Sequence, residues 1–359
     1  MDKLIFHAPI NDTSIGNVSV AFLRELYELD IQVSLFPVSD TIDLSVYDSL
    51  EEDFKKWLNS SFDNRFKSLS NTTPSLQVWH LNGSEKKISE NNFLYTFHET
   101  SQPTLAEKNI CSLHKKVIFS SSYSHRIFQK SGVSNSLSIP LGLDKDFYIA
   151  QRKFNKNIKH FGLMGKLEKR KNTLQILKCW AEEFGNKPEY QLSCLIVNRF
   201  MPNEEMNNKI GETLKGVQYS NINFLPFLPK NSDINQFLNS IDIDLTGLSG
   251  GEGWNLPSFN ATCLGKWSCV LNCTSHKDWA DESNSILVEP NGKFDCDDGM
   301  FFKKGAQFNQ GHFHSLSDES IKEALNLSLQ KTESNIKGVE LSNKFSYKKS
   351  VNNILSIIL

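Results

Sequence analysis

From residue 4 to residue 288 the chain repeats one pattern: a short apolar run, a loop, then a segment whose apolar residues recur every three or four positions. The short runs suit strands, and the helical period between them supplies the crossover that parallel strands need. This alternation restricts the chain to an α/β architecture, a mostly parallel sheet covered by helices. It opens with the run 4–6, a loop over 7–16, a helical stripe through Val18, Phe22, Leu26 and Leu29, and the run 31–36. A second stripe, Leu50, Phe54, Trp57, Leu58, Phe62, Phe66 and Leu69, predicts one long amphipathic helix. Runs at 76–79, 93–97, 117–120 and 136–139 follow, with a helix over 123–130. Residues 150–159 are polar and basic and lack apolar period, so they read as a linker. The alternation then restarts, with strands at 160–163, 191–197, 222–224, 241–245, 268–273 and 285–288 and helices over 173–184, 234–240 and 258–264. Helices over 318–330 and from 336 onward close the chain. The expected domains are 1–152 and 158–335, followed by a terminal helix over 336–359.

Two halves of this size can each bury a core, and 39% hydrophobic with 22% charged residues is the composition of a folded chain. Thirty-nine Lys and Arg against 41 Asp and Glu leave a net charge of -2, which offers no field to hold nucleic acid. Membrane contact, on the same ground, is expected to be peripheral at most. The seven cysteines are scattered and never form a C-x-x-C pair, so they read as reduced, packed thiols. Met1-Asp2-Lys3 runs straight into Leu4-Ile5-Phe6 with no long uncharged stretch, and the expected location is the cytoplasm.

Two loops carry the chemistry. Ser249-Gly250-Gly251-Glu252-Gly253-Trp254-Asn255-Leu256-Pro257 follows an apolar strand and leads into a helix. Glycines let backbone approach a ligand, Pro257 suits a first helical turn, and the free N–H groups of that turn can receive phosphate. Glu252 could accept hydrogen bonds from sugar hydroxyls. Gly165-Lys166-Leu167-Glu168-Lys169-Arg170-Lys171 also joins a strand to a helix, and Lys166 and Lys171 could neutralise a diphosphate. Taken singly, a tight turn and a solvated basic loop would explain them as well. Both, however, fall at carboxyl ends of strands in one α/β half, where open sheets bind ligands. No set of His, Cys and carboxylates has the spacing of a metal site; Asp242-x-Asp244 reads as part of a strand, and Asp295, Asp297 and Asp298 as a solvated loop.

Together these segments resemble the retaining glycosyltransferases of GT-B fold, family four. Its G-R-L-x-x-x-K segment is matched by Gly165-Lys166-Leu167 with Lys171, and its E-G-F-G-L-P segment by Glu252-Gly253-Trp254-Asn255-Leu256-Pro257. The likeness extends to Leu228 in Pro226-Phe227-Leu228, to Gly16, to His98-Glu99, and to Pro140-Leu141-Gly142-Leu143-Asp144. One position departs: the family's second glutamate, eight residues after the first, is Asn260 here. An amide can still hydrogen-bond to ribose hydroxyls without carrying charge.

The resemblance implies two Rossmann-like domains facing a cleft, with the C-terminal helix crossing back to the first. It implies a nucleotide-sugar donor held by Gly16, Gly165, Leu228, Gly253, Trp254, Asn255, Leu256 and Asn260, and a saccharide, lipid-linked or other hydroxyl acceptor, as in polysaccharide biosynthesis. Lys166 and Lys171 would hold the diphosphate, Glu252 the sugar, and His98 and Glu99 the sugar or acceptor from across the cleft, with no cofactor and no essential metal. Rival readings are a sugar-binding protein that has lost transfer, a glucosyltransferase acting on nucleic acid, and an NAD-dependent dehydrogenase. The last is weakened by a lone Gly16 where G-x-G-x-x-G would stand.

Overall fold

A computed structural model describes residues 3–67, 69–151 and 157–359. The first half is a parallel six-stranded sheet made of β1 (Lys3–Ile10), β2 (Gln32–Ile42), β3 (Ser75–Val78), β4 (Asn92–Thr96), β5 (Lys116–Phe119) and β6 (Ser136–Ser138), in the order β2-β1-β3-β4-β5-β6. Its helices are α1 (Ser14–Glu28), α2 (Glu52–Asp63), α3 (Leu105–Ser112) and α4 (Ser122–Lys130). The central strands are buried on both faces, and Phe6, Leu94, Tyr95, Ile118 and Phe119 are fully covered by the helices.

The second half is another parallel six-stranded sheet, built from β7 (Lys159–Met164), β8 (Tyr190–Leu195), β9 (Ile222–Phe224), β10 (Ile243–Asp244), β11 (Trp267–Leu271) and β12 (Ser285–Val288). Helices α5 (Thr173–Phe184), α6 (Asn203–Thr213), α7 (Asn231–Ser240) and α8 (Leu256–Cys263) connect its strands. The order β12-β11-β10-β7-β8-β9 reverses direction between β7 and β10, so the connections from these two strands leave to opposite sides and open a crevice at their carboxyl ends. An antiparallel hairpin, β13 (Gly292–Asp295) with β14 (His312–Ser315), and helix α9 (Asp318–Ser328) follow. Helices α10 (Ile336–Lys344) and α11 (Tyr347–Ile358) complete the fold, and α11 lies along α1 of the first half.

The expected boundary at 150–159 falls partly on residues 152–156, outside the described residues. Just before them the Tyr148 and Ala150 amides donate to Asn235 and Asn239 of α7 at 3.2 and 2.8 Å, pinning the chain to the second sheet's helix. Two helices are shorter than their apolar stripes. α2 stops at Asp63 because Asn64 turns its side chain back onto the Ser60 carbonyl at 3.0 Å, leaving Phe66 and Leu69 exposed. The terminal helix breaks at Phe345, whose ring packs on Trp254 and Phe259, and Ser346 caps a new helix by accepting from the Lys349 amide. All seven cysteines are buried and unpaired. Among the described residues no helix is long and apolar enough to cross a membrane.

Candidate active site

The two chemical loops leave the carboxyl ends of β7 and β10, the strands that flank the switch of direction. Asn172, at φ 54°, ends the first loop and donates to the Leu248 carbonyl at 2.8 Å, tying it to the second. The glycines of the second loop have a reason that the sequence did not show: what approaches them is protein. A Cβ on Gly250 would lie 2.0 Å from the His314 carbonyl of β14, one on Gly251 2.5 Å from the Phe313 ring, and one on Gly253 3.1 Å from Phe97 of the first half. Gly16 likewise faces the Asn11 carbonyl, 2.2 Å from where its Cβ would stand.

Between the loops lies a buried ion cluster. The Glu252 carboxylate accepts from Lys171 Nζ at 2.7 Å and from Ser249 Oγ at 2.7 Å, with Arg170 Nη1 at 3.2 Å. Burial opposes ionisation of Glu252, but Lys171 and Arg170 overcome it and hold the carboxyl well below the usual carboxylate range. Arg170, to which the sequence reading assigned no role, stands at the centre. Its Nη1 donates to the Gly251 carbonyl at 2.6 Å, its Nε lies 3.0 Å from Glu168, and its Nη2 lies 4.0 Å from Glu99 of the first half. Burial acts to lower its pKa, and the three carboxylates more than reverse this. Its place inside a run of basic residues hides it in the sequence.

A cleft of about 310 Å³ opens beside this cluster, between the two sheets. Gly165, Lys166, Leu228, Leu256 and Asn260 line it. The Lys166 ammonium stands 5.0 and 5.1 Å from the Phe200 and Phe301 rings, and its surroundings lower its pKa chiefly by burial. Asn260 is 6% exposed, and its Oδ1 has no hydrogen-bond partner in the protein. Next to both, Leu195, Val197, Leu228 and Leu238 form an apolar wall.

The remaining expected residues sit around the cleft rather than on its lining. Lys171 and Glu252 are paired with each other, with Lys171 Nζ 3.7 Å from the Cβ position of Gly165. Trp254 packs its indole against Phe259 and Phe345. Asn255, at φ 67°, directs its amide to the Thr246 carbonyl at 3.2 Å and to His276 Nε2 at 2.9 Å. His98 is buried, stacks edge-on against Phe128, and shares a 2.9 Å hydrogen bond with Thr100; burial lowers its pKa. One histidine escaped the sequence reading. His80, just after β3, feels the charges of both Glu99 and Lys166, one from each half, and burial lowers its pKa.

No family model matches the chain, and no curated protein matches it. Solved structures do match in three dimensions. A sucrose-phosphate synthase from Thermosynechococcus elongatus superposes with a TM-score of 0.68 at 13% identity, over 99% of this chain and 98% of that one. A glycosyltransferase from Rickettsia africae gives 0.65 at 12% identity over 99% and 97%, and HepE from Anabaena, in complex with UDP and glucose, 0.63 at 12% over 99% and 99%. The fold is GT-B.

In this GT-B chain the cleft is spanned at its mouth. Arg199 pairs with Asp12, and Lys230 with Asp48 at 2.5 Å, each bond joining the second half to the first. Deeper in, Asn231 donates to Asn17 at 3.1 Å and to Asp146 at 2.8 Å. At the opposite end the hairpin reaches across: the Gln102 and Gln310 backbones pair, Asn309 N donates to Glu107 at 2.8 Å, and His312 N donates to Ser101 at 2.8 Å. The GT-B halves therefore meet on both sides of the charged loops.

Proposed function

We propose that the chain is a glycosyltransferase that moves a sugar from a nucleotide-sugar donor to a hydroxyl acceptor, with retention at the anomeric carbon. The observation that carries this reading is the company kept by Asn260. A buried amide oxygen without a partner demands a donor such as a ribose hydroxyl, and it shares one cleft with the Lys166 ammonium and an apolar wall. A nucleoside diphosphate has a hydroxyl, an anion and a flat ring to satisfy the three. The full-length likeness to GT-B proteins, one of them bound to UDP and glucose, supports the same reading.

In the proposed reaction the bond between the anomeric carbon and the diphosphate oxygen breaks. The acceptor oxygen bonds to that carbon on the same face, and its proton passes to the departing phosphate. The protein supplies position and charge. Lys166 and Lys171 face the diphosphate, where negative charge grows as the bond lengthens, while Glu252 holds the sugar hydroxyls. Glu99, and His98 through its loop, border the sugar from the first half. Saccharide or lipid-linked hydroxyls are the proposed acceptors, in the cytoplasm, and no metal ion is needed to neutralise the diphosphate.

A thermal-shift screen against UDP, GDP, ADP and CMP and their sugars tests the reading, because ligands that bind the folded state raise its melting temperature. A rise with one nucleotide, and release of free sugar from its donor, is the expected result. Binding without any sugar release would instead mark a sugar-nucleotide-binding protein that has lost transfer.

A further inference from the structure

Four separate segments meet at the Arg170 guanidinium. Its own loop follows β7; Gly251 and Glu252 come from the loop after β10; Glu99 comes from the loop after β4 in the first half; and Phe302, its ring 5.7 Å away, comes from the hairpin. The guanidinium faces a different group on each side: Nη1 donates to the Gly251 carbonyl at 2.6 Å and lies 3.2 Å from Glu252, Nε lies 3.0 Å from Glu168 without a hydrogen bond, and Nη2 lies 4.0 Å from Glu99. A lysine could point its ammonium at one or two of these groups, but it cannot present three edges in a plane.

The charge balance gives this arrangement a purpose. Glu99, Glu168 and Glu252 place three carboxylates beside the diphosphate loop. Were Lys171 their sole counter-ion, its ammonium would be consumed by them and would be turned from any incoming anion. With Arg170 in the middle, Lys171 makes one carboxylate contact, to Glu252, and its other protons remain for a ligand. We propose that Arg170 is a positioning residue of the transfer centre, fixing the Glu252 carboxylate and its loop against Glu99 of the opposite half and freeing Lys171 to act on the donor diphosphate. This rests on the reading of the chain as a glycosyltransferase.

The proposal has a titration signature, because the other charged and titratable groups facing Glu252 are few. Lys171 and Arg170 face it from the loop after β7, Cys273 and His276 from the turn after β11, and Glu99 and Glu168 reach it through Arg170. Burial lowers the pKa of His276. Removing Arg170 therefore moves the Glu252 carboxyl upward, toward the ordinary range, and the acid limb of the rate profile moves up in pH with it.

The test uses the full chain with UDP-glucose, GDP-glucose and ADP-glucose, reading sugar release. For Arg170→Gln, kcat should fall at least about tenfold while KM for the donor changes by less than about threefold, and the acid limb should shift to higher pH. Guanidinium ion added to Arg170→Ala should restore part of the rate, whereas Arg170→Lys should remain slow. Melting curves identify any variant that fails to fold, and the lysine variant, which keeps the charge, then carries the comparison. An active wild type matched by Arg170→Gln or Arg170→Lys in kcat and pH profile overturns the role of Arg170 alone. A wild type that binds and hydrolyses none of the donors overturns the functional reading and the transfer role with it.

Discussion

Asn260 and Lys171 make different demands on a ligand, and different measurements separate them. Asn260 lines the cleft and its buried side-chain oxygen has no partner in the protein, so its proposed contribution is to binding. Asn260→Ala should raise the Kd of the bound nucleotide roughly five- to tenfold, the loss of about one hydrogen bond, while Asn260→Glu should preserve or tighten it. Calorimetry with the nucleotide found in the screen reads this, and equal affinity in all three proteins removes the residue from the donor site. In the proposed reaction Lys171 lies beside a growing charge, so its contribution should appear in kcat. Lys171→Ala should lower kcat by about a hundredfold, roughly 3 kcal/mol, with a smaller rise in KM. It should also lower the melting temperature, because Glu252 then keeps only Arg170 and Ser249 as partners. A folded variant with a lowered melting temperature but unchanged kcat would show that the Lys171–Glu252 pair serves the fold alone.

Among loops and helices, glycines reveal which approaches are obligatory. Gly142 brings the end of the first half against the start of α11: a Cβ there would lie 2.3 Å from the Ser346 and Tyr347 backbone. Gly142→Ala should therefore cost at least 1–3 kcal/mol and loosen the terminal helix, since backbone cannot shift as a side chain does. Gly211, inside α6, has nothing within 4 Å of its Cβ position, and Gly211→Ala should be neutral or stabilise by about 0.5–1 kcal/mol. Denaturant melts of the two variants give the comparison; similar values for both would contradict the packing at Gly142. Much of this level was legible beforehand, because strand and helix periods are local. The exceptions have physical reasons. Helix α3 lacks a long apolar stripe, and its sequence signal is instead the capping box formed by Thr104 and Glu107. Stripes alone carried the helix over residues 50–69 too far, since Asn64 capping overrides apolar period. The β13–β14 hairpin has no strong alternation, and its place is set by Gly250, Gly251 and the loop over 101–107 that it covers.

Across the molecule, the contacts spanning the cleft are partly exposed ion pairs at the mouth and buried polar contacts below. Exposed pairs of this kind contribute about 0–1 kcal/mol each, so they hold the mouth of the cleft only weakly. Charge neutralisation by Lys166 and Lys171 predicts that transfer persists in chelator. Assays with EDTA should retain most of the activity, and complete loss restored by Mg²⁺ or Mn²⁺ would assign the diphosphate to a metal instead.

The sequence alone determined the two parallel sheets and the two loops at their carboxyl ends, because side-chain period, turn residues and the strand-loop-helix order are properties of neighbours along the chain. It also determined the residue types that the proposed function places against a diphosphate, Lys166 and Lys171, and the amide at Asn260. Tertiary structure alone decided which of them line the cleft, that Trp254 and His98 turn their rings into packed surroundings, and that Arg170 rather than either lysine joins the two halves. A guanidinium's role is set by the carboxylates around it, and Glu99, Glu168 and Glu252 come together only when both sheets have folded and met.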